Sequence, residues 1–193
     1  MRRFIAVFVA VAGGSLLAGS AFAQETNPCP IVPATKLEAF DTNTSTVIIK
    51  ATAPIGTVPA HGGAVSVRCR EITDVGTGRR ESGIMIDLAF GGPVEDVMLI
   101  DFDELDSLLD GLEYIGKLDW SVTSLPGFDA VYTTKGGFRA AAFGSRRTGN
   151  IEFGVRSARV HKPPLLLSRD QLGQLRGLVE QGKTKLDALR KEK

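Results

Sequence analysis

The sequence predicts an α+β fold built from antiparallel sheets and two helices, and three observations predict it. Short β-branched or alternating runs recur, separated by glycine-bearing turns, as strands joined by hairpins require. Two longer segments repeat leucine at helical spacing instead. Each of those follows about four strand-like runs, so the order reads ββββα–ββββα.

Residues 1–23 stand ahead of the fold. Arg2 and Arg3 give a positive start, Phe4 to Leu17 an apolar stretch, and Ala21-Phe22-Ala23 a small-x-small site, with cleavage expected between Ala23 and Gln24. Fourteen apolar residues cover about 21 Å at a helical rise, short of the roughly 30 Å hydrocarbon core. The segment therefore reads as a secretory signal peptide that leaves no stable membrane anchor after cleavage. Ser20 stands where a lipidated cysteine would be needed, and the flanks of a twin-arginine signal are missing. The expected location is periplasmic or extracellular.

Residues 24–43 carry proline and threonine and read as an irregular lead-in. Cys29 and Cys69 are the only cysteines, and an exported chain folds where thiols oxidise. One disulfide between them is expected. It would close a loop of about forty residues, for roughly 4 kcal/mol by chain entropy.

The first strands are read at Thr46–Lys50, Ala64–Ile72, Gly83–Phe90 and Val97–Ile100. Val65, Val67 and Cys69 share one side of the second, and Ile84, Ile86 and Leu88 one side of the third. Asp101 with Glu104 three residues later resembles a capping box. Leu105, Leu108, Leu109, Leu112 and Ile115 then form one apolar helical face that stops near 116–118.

The second half repeats this order. Strands are read at Ala130–Thr134, Phe138–Phe143, Ile151–Ser157 and Val160–Leu167. Ser168 and Gln171 make a second capping box, with a seam of Leu172, Leu175, Val179, Leu186 and Leu189. Gly173, Gly177 and Gly182 cost up to about 1 kcal/mol each against alanine, so close approach to a neighbour is expected in return. The tail 183–193 keeps the seam but is strongly charged. Residues 44–193 are thus one α+β domain, within which 44–118 and 119–193 make two pseudo-repeats.

This plan is similar in outline to the Whirly and Pur families, which bind single-stranded nucleic acid on exposed sheet faces. The resemblance lies in element order, and no motif carries a site residue across.

Charge is divided between the halves. Residues 24–118 hold 7 basic against 15 acidic groups, a balance of −8; residues 119–193 hold 14 against 7, a balance of +7. The near-neutral total argues against a protein built to coat nucleic acid. The split implies halves that attract each other, or a basic functional face in the second.

Catalytic equipment is sparse. The acidic run Asp101, Asp103, Glu104, Asp106 and Asp110 fails as a helix–loop–helix calcium loop, since Asp106 and Leu112 stand where glycine and glutamate are needed. His61 and His161 have no further ligand at metal spacing, and no GxSxG elbow supports a triad. The glycine pairs at 62–63, 91–92 and 136–137 punctuate hairpins and form no phosphate loop. No cofactor or metal is expected.

One surface invites a function. Tyr132, Lys135, Arg139, Arg156 and Arg159, with Arg146 and Arg147 nearby, suggest a basic, partly aromatic sheet face in the second half. Such a face suits an acidic protein or a polyanionic ligand such as a glycan or lipid head group. The leading expectation is a non-enzymatic exported binding module. The alternatives are a small carboxylate-based hydrolase and a polyanion or single-stranded nucleic-acid binder.

Overall fold

A computed structural model of the chain describes residues 32–191. The leader, its junction at Ala23 and Gln24, and Cys29 lie outside the described residues. The fold is α+β, as the sequence predicts. Strands β1 (Ile48–Ala60), β2 (Gly63–Asp74), β3 (Arg80–Ala89) and β4 (Val94–Asp101) form one antiparallel meander in that order. Strands β5 (Gly127–Thr133), β6 (Phe138–Ser145), β7 (Asn150–Ser157) and β8 (Leu165–Leu167) form a second. Helices α1 (Lys36–Asp41), α2 (Leu105–Lys117) and α3 (Arg169–Lys191) complete the described fold.

Alternation decides which face is buried. Val65, Val67 and Cys69 stand opposite Leu88, Ile86 and Ile84, with Met98 and Ile100 opposite Ile86 and Ile84 one strand further on. All eight are buried in one cluster with Phe138, Ala140, Ala142, Phe153 and Val155 of the second sheet and the leucine faces of α2 and α3. The sheets also meet directly. His61 N–H donates to the Leu166 carbonyl at 2.8 Å, joining the end of β1 to β8.

The exposed edge of β1 is blunted by its own sequence. Pro54 and Pro59 lack N–H donors, and the register shifts between Pro54 and Gly56. Both features discourage pairing with another chain. They also explain why the strand is longer than the five residues expected: prolines that normally end a strand are tolerated on an edge.

Several expectations need correction. The lead-in is not irregular throughout, because α1 forms within it. Thr35 caps α1 by accepting from Glu38 N–H at 3.0 Å, and Leu37 and Phe40 pack on Ile72, Met85 and Leu99. Six residues are too short for a periodic signal. Asp101 does not cap the helix that follows it: α2 is entered through a 3₁₀ turn, Phe102–Glu104, without a side-chain cap. Its carboxylate instead accepts from Lys36 N–H at 2.8 Å and Leu37 N–H at 3.1 Å, in the first turn of α1. Glu104 accepts from Lys135 N–H at 2.8 Å.

The capping box at α3 forms as expected. Ser168 N–H donates to Gln171 Oε1 at 2.7 Å, and Gln171 N–H to Ser168 Oγ at 3.1 Å. Strand β8 is shorter than expected because Pro163 and Pro164 precede it and cannot extend a ladder. Of the three helix glycines only Gly182 meets a close neighbour, Ile84 Cγ2 lying 3.3 Å from where its Cβ would be; Gly173 and Gly177 face open space. Leu189, expected in the seam, is 39 % exposed.

Candidate binding face and cleft

The outer face of the second sheet is set by register. Thr133 pairs with Arg139 and Arg139 with Arg156, giving a basic row across β5, β6 and β7. The adjacent row is Val131, Ala141, Gly154 and Leu166, and beyond it lie Asp129, Phe143 and Glu152. The face is thus basic at one end, small and apolar in the middle, and acidic with an aromatic ring at the other.

Arg139 and Arg156 are direct cross-strand partners. Neither guanidinium has a hydrogen-bond or ion-pair partner among the described residues, and Arg139 Nε is buried without one. Like charges placed directly opposite in an antiparallel pair repel, which costs stability.

The other predicted face residues go elsewhere. Tyr132 lies on the opposite side of β5, its hydroxyl donating to Ser107 Oγ at 2.9 Å. Its ring covers Gly111 of α2, where an added Cβ would come within 2.6 Å of it. Burial pushes the Tyr132 phenol above its ordinary pKa. Tyr132 is therefore a packing residue, because alternation places odd positions of β5 outward and even ones inward. Arg159 pairs with Glu38 of α1 at 2.6 Å. Lys135 is exposed at the β5–β6 turn, its backbone held by Glu104, and Arg147 is exposed at the β6–β7 turn.

Arg146 is a clamp. Its Nη2 donates to the carbonyls of Trp120 at 3.0 Å and Thr123 at 2.8 Å, and its Nε to that of Leu125 at 3.1 Å. The guanidinium also lies 5.3 Å from the Trp120 ring centre. Beside that ring is a cleft of about 570 Å³, between the start of β7 and the segment leading from β8 into α3. Sequence reasoning missed this cleft. The available signal was the chain's single tryptophan in a polar, proline-bearing connection.

Four of the five acids in the run are taken up in structure. Besides the roles of Asp101 and Glu104, Asp103 pairs with Lys36 at 2.9 Å and Asp106 with Lys183. The Lys36 ammonium bonded to Asp103 holds that carboxyl below its usual range. Among the described residues no group of three or more His, Cys, Asp or Glu is placed to hold a metal ion. Cys69, expected in a disulfide with Cys29, is instead a free thiol buried beneath α3, its Sγ 3.5 Å from the Gly182 carbonyl, and burial pushes its pKa up. No described helix is long and apolar enough to cross a membrane.

The fold and these two surfaces define an α+β protein with an open, partly basic sheet face. Comparison with protein-family models, curated proteins and solved structures finds no match. The likeness to the Whirly and Pur families therefore stays at the level of element order.

Proposed function

We propose that the chain is an exported, non-enzymatic binding module whose outer second-sheet face takes up an anionic group at Arg139 and Arg156. The observation that carries this reading is a cross-strand pair of like charges without a partner among the described residues. A phosphate, sulfate or carboxylate set between two guanidiniums would relieve their repulsion and supply charge-assisted hydrogen bonds. Lys135 adds positive potential at the neighbouring β5–β6 turn, whereas Arg147 stands at the opposite, acidic end of the sheet. Arg159 is withdrawn from the binding set because Glu38 neutralises it.

Export rests on the leader at 1–23, with Gln24 the first mature residue. The test is recovery of the protein from the native envelope or medium, followed by chromatography on a heparin-type resin. The expected product starts at Gln24 and is retained beyond moderate salt, while an Arg139→Ala/Arg156→Ala variant elutes early. Co-elution of the two proteins removes the proposed face. A cytosolic product starting at Met1 removes export.

A further inference from the structure

We infer that the cleft beside Trp120 is a second ligand site, built to take the ring of a neutral saccharide. The cleft exists because β8 is short. Strand β7 pairs with β6 along its whole length, but with β8 only over Phe153–Val155. Beyond Leu167 the chain turns into α3, so Asn150, Ile151 and Glu152 have no strand on that side and line an open wedge. Its volume of about 570 Å³ falls within the 300–1,000 Å³ typical of small-ligand sites.

Trp120 is held in advance at this wedge. Arg146 binds three carbonyls of the 120–125 segment and faces the indole. The edge of the Phe128 ring meets it at a centroid distance of 5.5 Å and 77°. Arg169 secures the chain just upstream by donating to the carbonyls of Gly116 and, at 2.9 Å, Leu118. Fixing a backbone in one conformation costs chain entropy at every residue held. With Arg146 on the indole and its segment, and Arg169 on the turn before it, the half-exposed ring is a rigid aromatic plate whose ordering cost is met before any ligand arrives.

The lining chooses the ligand's charge. At the start of α3 the Ser168–Gln171 box takes up the Gln171 N–H and Asp170 adds negative charge to the first turn, so this helix end offers little to an anion. Arg169 is spent on carbonyls and on the Phe153 ring, 5.1 Å from its guanidinium. Glu152 would repel an anion. What remains is the Asn150 amide, the Ser168 hydroxyl and the Glu152 carboxylate, a mixture of donors and acceptors beside an apolar ring. Sugar hydroxyls both donate and accept, and the C–H face of a pyranose lies flat on indole.

The chain has one tryptophan, so its emission reports this cleft alone. The test is titration of the full chain with maltotetraose, cellotetraose and chitotetraose, followed by fluorescence and calorimetry. The expected result is a saturable emission change at one site for at least one of them. Asn150→Ala and Glu152→Gln should each weaken it at least tenfold at unchanged Tm, and Arg139→Ala/Arg156→Ala should leave it intact. A flat response to all three sugars overturns the inference, as does a response to a nucleoside or a short peptide in their place. Trp120→Ala should abolish calorimetric binding. If that variant fails to fold, the Asn150 and Glu152 variants decide.

Discussion

Asp101 is 3 % exposed, and both of its oxygens accept main-chain N–H groups of α1. Removing such an acceptor leaves the buried Leu37 N–H unpaired, at about 1–3 kcal/mol, while water can take up the part-buried Lys36 N–H. Asp101→Ala should therefore lower stability by about 1–3 kcal/mol in urea unfolding, with α1 exchanging its amide hydrogens fastest. If Asp101 capped α2 instead, protection would be lost around residues 105–108. The sequence shows a capping residue at 101, but not which helix it serves, because the donors lie 64 and 65 residues away. Tyr132 was misplaced for a related reason. Alternation is visible in β5, yet which side is inner depends on α2, whose Gly111 makes room for the ring. Arg139 and Arg156 were legible as outward residues because their alternation with Phe138, Ala140, Phe153 and Val155 is unambiguous.

At the scale of elements, α3 carries information of two kinds. Its start was readable since both partners of the capping box are local, three residues apart. Its glycines were not, since their value depends on what faces them. Gly173 and Gly177 meet nothing within 4 Å of an added Cβ, so they bear the helix cost of glycine without a packing return. Gly173→Ala and Gly177→Ala should each raise stability by up to about 1 kcal/mol, read as an increase in Tm with unchanged circular dichroism. Gly182→Ala should bring no comparable gain, because its methyl would press on Ile84 at 3.3 Å beside Cys69 at 3.8 Å. Equal gains at all three positions would mean that α3 does not sit on the first sheet as described. The strands show the same division. Hairpin turns and inner faces could be read from glycines and alternation, whereas the length of β1 depended on its being an edge.

At the scale of the whole molecule, part of the charge split is used in attraction between the halves. Lys183 pairs with Asp106, Arg176 with Glu113 and Arg159 with Glu38. Water screens exposed pairs of this kind, so they orient the halves more than they hold them. The Arg139–Arg156 pair stands apart, since it is opposed by its own kind. If the outer face is only solvated surface, the repulsion serves nothing; if it binds an anion, the repulsion is the cost of a site kept ready. The two readings predict opposite couplings. Arg139→Gln should raise the stability of the free protein by roughly 0.2–1 kcal/mol, the range for cross-strand pairs, while weakening retention on an anionic resin. Added polyphosphate should raise the Tm of the native chain and narrow its gap to the variant, because an anion removes the same repulsion that the substitution removes. A variant more stable than the native chain by the same margin with and without polyphosphate would leave the pair a plain defect of the surface, and the face would lose its claim to function.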